Sequence, residues 1–160
     1  MQTTTVVAAL VTGVVFAVGG YVLGTKSGKV TPLTHKPTGK SCGSGDCNVT
    51  IGFDCVDPTH PTNTTCVPYA DPDVVVMRTG HKIKFKIDST HNDFKFDSAD
   101  GIKFTSSNVQ TGWLPCTPQG GSGKDYSCDN NIPTGTDPDA YKYAIHIIGF
   151  SIVDPFMVNY

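Results

Sequence analysis

Charge is scarce in this chain: of its 160 residues only 16% are Asp, Glu, Lys or Arg, and the formal net charge is -2. A charge so sparse and balanced excludes a polybasic nucleic-acid binder and a chain held open by self-repulsion. Sequence marks of a reaction centre are missing too. There is no Gly-x-Ser-x-Gly elbow, no His-Glu-x-x-His pair and no phosphate-cradling glycine loop ahead of a helix. His60, His81, His91 and His146 are scattered, with no His-x-His or His-x3-His pair, and no Cys-x-x-Cys occurs. Asp71, Asp73, Asp97 and Asp100 stand among turn-forming residues. The expectation is a protein that is not an enzyme and carries no resident cofactor, with length for one compact domain and a short appendage.

What charge there is falls unevenly, and this divides the chain. Residues 1–25 have no ionisable side chain except Tyr21, and residues 6–23 form one apolar run interrupted only by Thr12 and glycines. As a helix that run would be roughly 27 Å long, close to the ~30 Å hydrocarbon core of a bilayer. Residues 1–25 are therefore expected to be a transmembrane anchor. Ala17-Val18-Gly19 offers a cleavage site for the competing reading, a signal peptide, but the basic n-region is absent and the run exceeds a usual h-region. Gly20 and Gly24 form a small-xxx-small face, where a helix of an integral membrane complex could approach closely.

Residues 26–46 are rich in Gly and Pro and carry Lys26, Lys29, Lys36 and Lys40, with no acid before Asp46. This reads as a basic linker, able to lie against anionic lipid. Without those four lysines the body keeps eight basic residues against fourteen acidic ones, a charge near -6. The lysines after the run would by themselves put the body in the cytoplasm. Six cysteines argue for an oxidising compartment instead, and long domains translocate largely regardless of flanking charge. The expected location is thus the inner membrane, single-pass, with the C-terminal domain in the periplasm or its equivalent outside the cytoplasm.

Residues 47–160 read as short strands between turn clusters. Val49, Ile51 and Phe53 alternate, residues 74–77 are a short apolar run, and residues 82–87 keep a strict period of two. Phe94 and Phe96, Ile102 and Phe104, then Tyr141, Tyr143, Ile145 and Ile147 repeat the alternation, before Ile152-Val153 and a last strand at residues 156–158. The fold class expected is all-β, a Greek-key β-sandwich. Cys42, Cys47, Cys55, Cys66, Cys116 and Cys128 allow 15 pairings. Local ones are expected: Cys42 with Cys47, Cys55 with Cys66, and Cys116 with Cys128, each stapling a loop. Trp113 and Leu114, in a long loop, are expected either as an exposed anchor for a partner or as a cover on the open end of the sandwich.

The order of these segments resembles the cupredoxins, small copper-binding β-sandwiches. Residues 74–96, with Thr79-Gly80-His81-Lys82-Ile83-Lys84-Phe85 and His91-Asn92-Asp93-Phe94, and residues 140–159 carry the resemblance, about a third of the chain. The resemblance implies that His91 stands where the family's first copper-binding histidine stands. It also implies a Cys after the Tyr-rich strand, and here that stretch reads Tyr141-Lys142-Tyr143-Ala144-Ile145-His146-Ile147-Ile148-Gly149, without one. His146 falls on the outward side of the alternation, so it does not take that place. The implied fold is cupredoxin-like with its blue-copper loop lost. The leading functional expectation is a membrane-anchored accessory subunit of a larger complex, respiratory or photosynthetic in type, held by its helix and its exported domain. The alternatives are a tethered copper carrier or copper chaperone using His91 or His146, and, with the helix cleaved, a surface adhesin or ligand-binding module.

Overall fold

A computed structural model describes residues 35–57, 59, 61–91 and 93–160. The apolar run expected to be an anchor, with Gly20 and Gly24, the first part of the segment expected to be linker, His60 and Asn92 lie outside the described residues. Among the described residues no helix is long and apolar enough to cross a membrane. The described body is all-β. Its strands are β1 (Gly39–Gly43), β2 (Cys47–Cys55), β3 (Cys66–Asp71), β4 (Val74–Met77), β5 (Lys82–Ile87), β6 (Ile102–Phe104), β7 (Cys116–Gln119), β8 (Asp125–Asp129), β9 (Asp139–Ile145) and β10 (Phe156–Asn159).

They form two five-stranded sheets, ordered β1-β4-β10-β9-β6 and β3-β2-β5-β8-β7. Alternation dictates which side chains meet between them. Ile83, Phe85 and Ile87 of β5 are buried while Lys82, Lys84 and Lys86 are exposed. Val49, Ile51 and Phe53 of β2 and Tyr141, Tyr143 and Ile145 of β9 face the same core, so the expected inward faces are the observed ones. Strand β4 is buried at all four positions because both of its faces are covered. Val75 and Met77 enter the main core, while Val74 and Val76 join Val158 in a smaller cluster flanked by Ala140, Phe156 and Tyr160.

Two findings alter the sequence-based outline. The segment expected to be linker contributes β1, which pairs in parallel with β4 along its edge. An edge strand is held by backbone hydrogen bonds on one side and needs no apolar face, so Gly39-Lys40-Ser41 gives no sign of it. Ala144, which by strict alternation shares the outward side with His146, is nevertheless buried.

The three disulfides follow the local pairing. Cys42–Cys47 ties the end of β1 to the start of β2, with Cα atoms 5.5 Å apart. Cys55–Cys66 and Cys116–Cys128 each join directly opposed residues of a hairpin, β2–β3 and β7–β8, at Cα separations of 4.0 Å.

Candidate functional site

Three places on the body bring distinctive chemistry together: the end of the sandwich where β2, β5 and β9 finish, the opposite end, and the outer face of the second sheet. At the first end the turn after β5 is set by Asp88, whose carboxylate accepts from the Thr90 N–H (3.0 Å) and whose carbonyl accepts from the His91 N–H (3.1 Å). The turn delivers the His91 ring into an aromatic cluster. It stands edge-on to Phe53 at 4.9 Å and stacks with Phe94 at 5.6 Å; Phe94 and Phe150 meet edge-to-face at 4.7 Å. Nδ1 of His91 is buried without a hydrogen-bond partner. His91, the histidine that the resemblance singles out, therefore has phenylalanine rings as its ring neighbours.

His146 is half-buried and works through its backbone, donating its N–H to the Gly101 carbonyl (2.8 Å) and accepting from the Asp97 N–H (2.9 Å). All six cysteines are in disulfides, so none offers a thiolate. Among the described residues no group of three or more His, Cys, Asp or Glu side chains stands together as a ligand set for a metal ion.

Three aliphatic side chains in the segments at this end are exposed. Val56 is 74% exposed, Ile148 61% and Ile152 56%. Val56 follows β2, and the other two lie in the loop after β9. The side chain of Asn63, from the β2–β3 hairpin, donates to the Gly149 carbonyl at 3.0 Å and ties the two loops together. Beneath them Phe150 packs on Phe53 at 5.3 Å. Solvent-exposed aliphatic side chains above a packed aromatic base make this end an apolar rim.

The chain arrives at the same side of the molecule. Upstream of β1, Thr38 donates its N–H to Asp73 (3.0 Å) and its hydroxyl to Asp71 (2.6 Å). His35 then donates its N–H to Asp54 (2.9 Å), places Nε2 3.0 Å from Asp73, and stacks on the Tyr69 ring at 4.0 Å. Tyr69 lies across Gly52, where any Cβ would overlap the ring, so the glycine makes room for the Tyr69–His35 stack. Burial together with the nearby acids Asp54, Asp71 and Asp88 raises the Tyr69 pKa above the usual phenol value.

At the opposite end Leu114 is buried, 8% exposed, and Trp113 is half-buried against the core. Of the pair, Leu114 serves the core, two residues before β7 begins, and Trp113 keeps part of its surface exposed. Here Asn130 and Asn159, both buried, share a hydrogen bond of 2.7 Å, and the Asn130 side chain also donates to the Arg78 carbonyl (3.1 Å) and accepts from the Ile132 N–H (3.3 Å). This knot binds the last strand to the β4–β5 turn.

The outer face of the second sheet is a wide, open groove of about 770 Å³ lined by polar side chains, among them Asn48, Thr50, Lys84, Gln119 and Asp125. Its charges are internally matched. Lys84 pairs with Asp46 at 2.7 Å and Lys82 with Asp129 at 2.8 Å. The Lys84 hydrogen bond, joined by the Lys82 N–H, lowers the Asp46 pKa, while Asp129 raises that of Lys82. On another turn the N–H groups of Ala99 and Asp100 lower the Asp97 pKa, the ordinary use of an aspartate in a turn.

The residues that sequence reasoning missed are His35, Val56, Ile148 and Ile152. The partners of His35 are distant in sequence, and an aliphatic residue in a loop carries no local mark of whether it is exposed. No protein-family model, no curated protein and no solved structure matches this chain.

Proposed function

We propose that this protein is a non-catalytic, membrane-tethered accessory subunit whose β-sandwich, cupredoxin-like with its blue-copper loop lost, stands outside the cytoplasm beside a larger integral membrane complex. The observation that carries this reading is the way the chain joins the domain. The apolar run of residues 6–23 leads within a dozen residues to His35, and His35 is fastened to Asp54, Asp73 and Tyr69. A connector clamped in this way holds a domain close to its anchor. Three disulfides support an oxidising compartment, because cytosolic thiols are kept reduced. The glycine face at Gly20 and Gly24 is where a helix of the complex would pack.

The test is purification of the full chain from native membranes in mild detergent, with mass spectrometry of what accompanies it and of its own N-terminus. A stoichiometric membrane partner, lost from a Gly20→Leu/Gly24→Leu variant, is the expected outcome. A lone monomer, or a mature chain beginning after residue 19, overturns the reading.

A further inference from the structure

We propose that the apolar rim formed by Val56, Ile148 and Ile152 docks on the lipid bilayer, so that the domain sits end-on upon the membrane. This rests on the reading of residues 6–23 as the anchor and adds to it an orientation and a contact surface. The point at which the chain meets the domain selects the occupant. The link between Leu23 and His35 spans at most about 40 Å even when fully extended. Traced backward from β1, the chain passes Thr38 at Asp71 and Asp73 and reaches Asp54 at His35, travelling toward the end of β2. Val56 lies two residues beyond Asp54, about 7 Å further along the same strand direction. The tether therefore pulls the rim end, not the Trp113 end, toward the bilayer surface.

The chemistry of the rim fits that neighbour. Three aliphatic side chains, each more than half exposed, share this end with the Phe53, Phe94 and Phe150 contacts and with the Asn63–Gly149 hydrogen bond that ties the two loops together. Short apolar wedges of this kind insert at the boundary between headgroups and acyl chains.

The sole tryptophan supplies an internal control. Trp113 accepts at its carbonyl from the Asn131 N–H (2.8 Å), just past the end of β8, and β8 runs antiparallel to β5, so Trp113 is at the end remote from the rim. The full chain is reconstituted in phosphatidylcholine vesicles, with and without brominated acyl chains. The unaltered protein reports from Trp113, and the variants Trp113→Phe/Ile148→Trp and Trp113→Phe/Ile152→Trp report from the rim. The expected result is a blue shift and loss of emission for both rim probes and no loss for Trp113.

Flotation of each sample after alkaline washing separates the two readings. A chain that does not float overturns the anchor and the docking together. A chain that floats with rim probes as bright as Trp113 leaves the anchor standing and overturns the docking. Hydroxyl-radical labelling of the unaltered protein in the same vesicles reads Val56, Ile148 and Ile152 without any substitution. Protection supports the docking, and oxidation at the rate expected from their exposure overturns it. Protection in native membranes but not in vesicles assigns the rim to a protein neighbour and also overturns it.

Discussion

Tyr143 lies at the centre of the sandwich with none of its surface exposed, its ring 5.3 Å from those of Phe85 and Phe104. Its hydroxyl is buried without a hydrogen-bond partner, and burial drives the phenol pKa far upward because the ionised form would have no solvent. A hydroxyl removed from water and left unpaired costs about 1–3 kcal/mol. Tyr143→Phe deletes that group and keeps the ring. The void left behind, on the order of 15 Å³, costs about 0.4 kcal/mol at ~24 cal/mol per Å³. The net expectation is a gain of about 1–2 kcal/mol, or a rise in Tm of roughly 4–8 °C for a body of this size. Urea and thermal unfolding with the disulfides intact measure it, and an unchanged m value would place the gain in stability alone. Tyr126 serves as the control, since its hydroxyl reaches the Ser98 carbonyl at 3.5 Å and Tyr126→Phe has no penalty to relieve. A Tyr143→Phe variant less stable than the parent would refute the reasoning and mean that the hydroxyl is held by a bound water.

Other perturbations test other parts of the fold. Replacing the Cys55–Cys66 pair by alanines opens a loop of sequence separation 11 at the tip of the β2–β3 hairpin and should cost about 3 kcal/mol, read by denaturant unfolding; no loss would mean that the hairpin is fixed by its packing alone. Asn130→Ala strips partners from Asn159, the Arg78 carbonyl and the Ile132 N–H, so about 2–4 kcal/mol should be lost, and adding Asn159→Ala should cost less than the sum of the two single changes. The pH dependence follows from Asp46 and Asp97. Their folded pKa values lie below the unfolded carboxylate value, so the stability they contribute is present above about pH 4 and fades as pH falls through the lowered folded values. Melting temperatures should be level near neutrality and decline in acid, with a shallower decline for Asp97→Asn; an unchanged acid limb in that variant would refute the assignment.

The central strands were legible because each has one face in the core, and burial there demands alternation. Strand β5 shows this most plainly, with Ile83, Phe85 and Ile87 inside and three lysines outside. Strands β1 and β7 left no trace, since strands such as Gly39-Lys40-Ser41 or Thr117-Pro118-Gln119 are recruited by backbone pairing and bury little. Strands β3 and β8 do alternate, but Cys66, Pro68, Ala70 and Cys128 are weak hydrophobic signals among polar neighbours. Disulfide pairing was readable because all three bonds are local. The clamp at His35 was not, since Asp54 and Asp73 are 19 and 38 residues away and come together only when the sheets form. The direction of Leu114 stays open in the sequence, because a loop residue beside an edge strand has its direction set by the strand that follows.

The parallel pairing of β1 with β4 has a mechanical meaning. Tension applied through the upstream chain acts along the axis of β1, so the hydrogen bonds of its ladder are loaded side by side in shear rather than opened one at a time like a zipper. Before that ladder feels the force, the His35 and Thr38 contacts must yield; after it, the Cys42–Cys47 bond hands the load straight to β2, which lies between β3 and β5. Pulling single molecules from the N-terminal side should show one high-force rupture, and a gradual low-force peel would contradict this. A domain pulled through such a strand resists unravelling, as a nail loaded along the grain holds better than tape lifted from its edge.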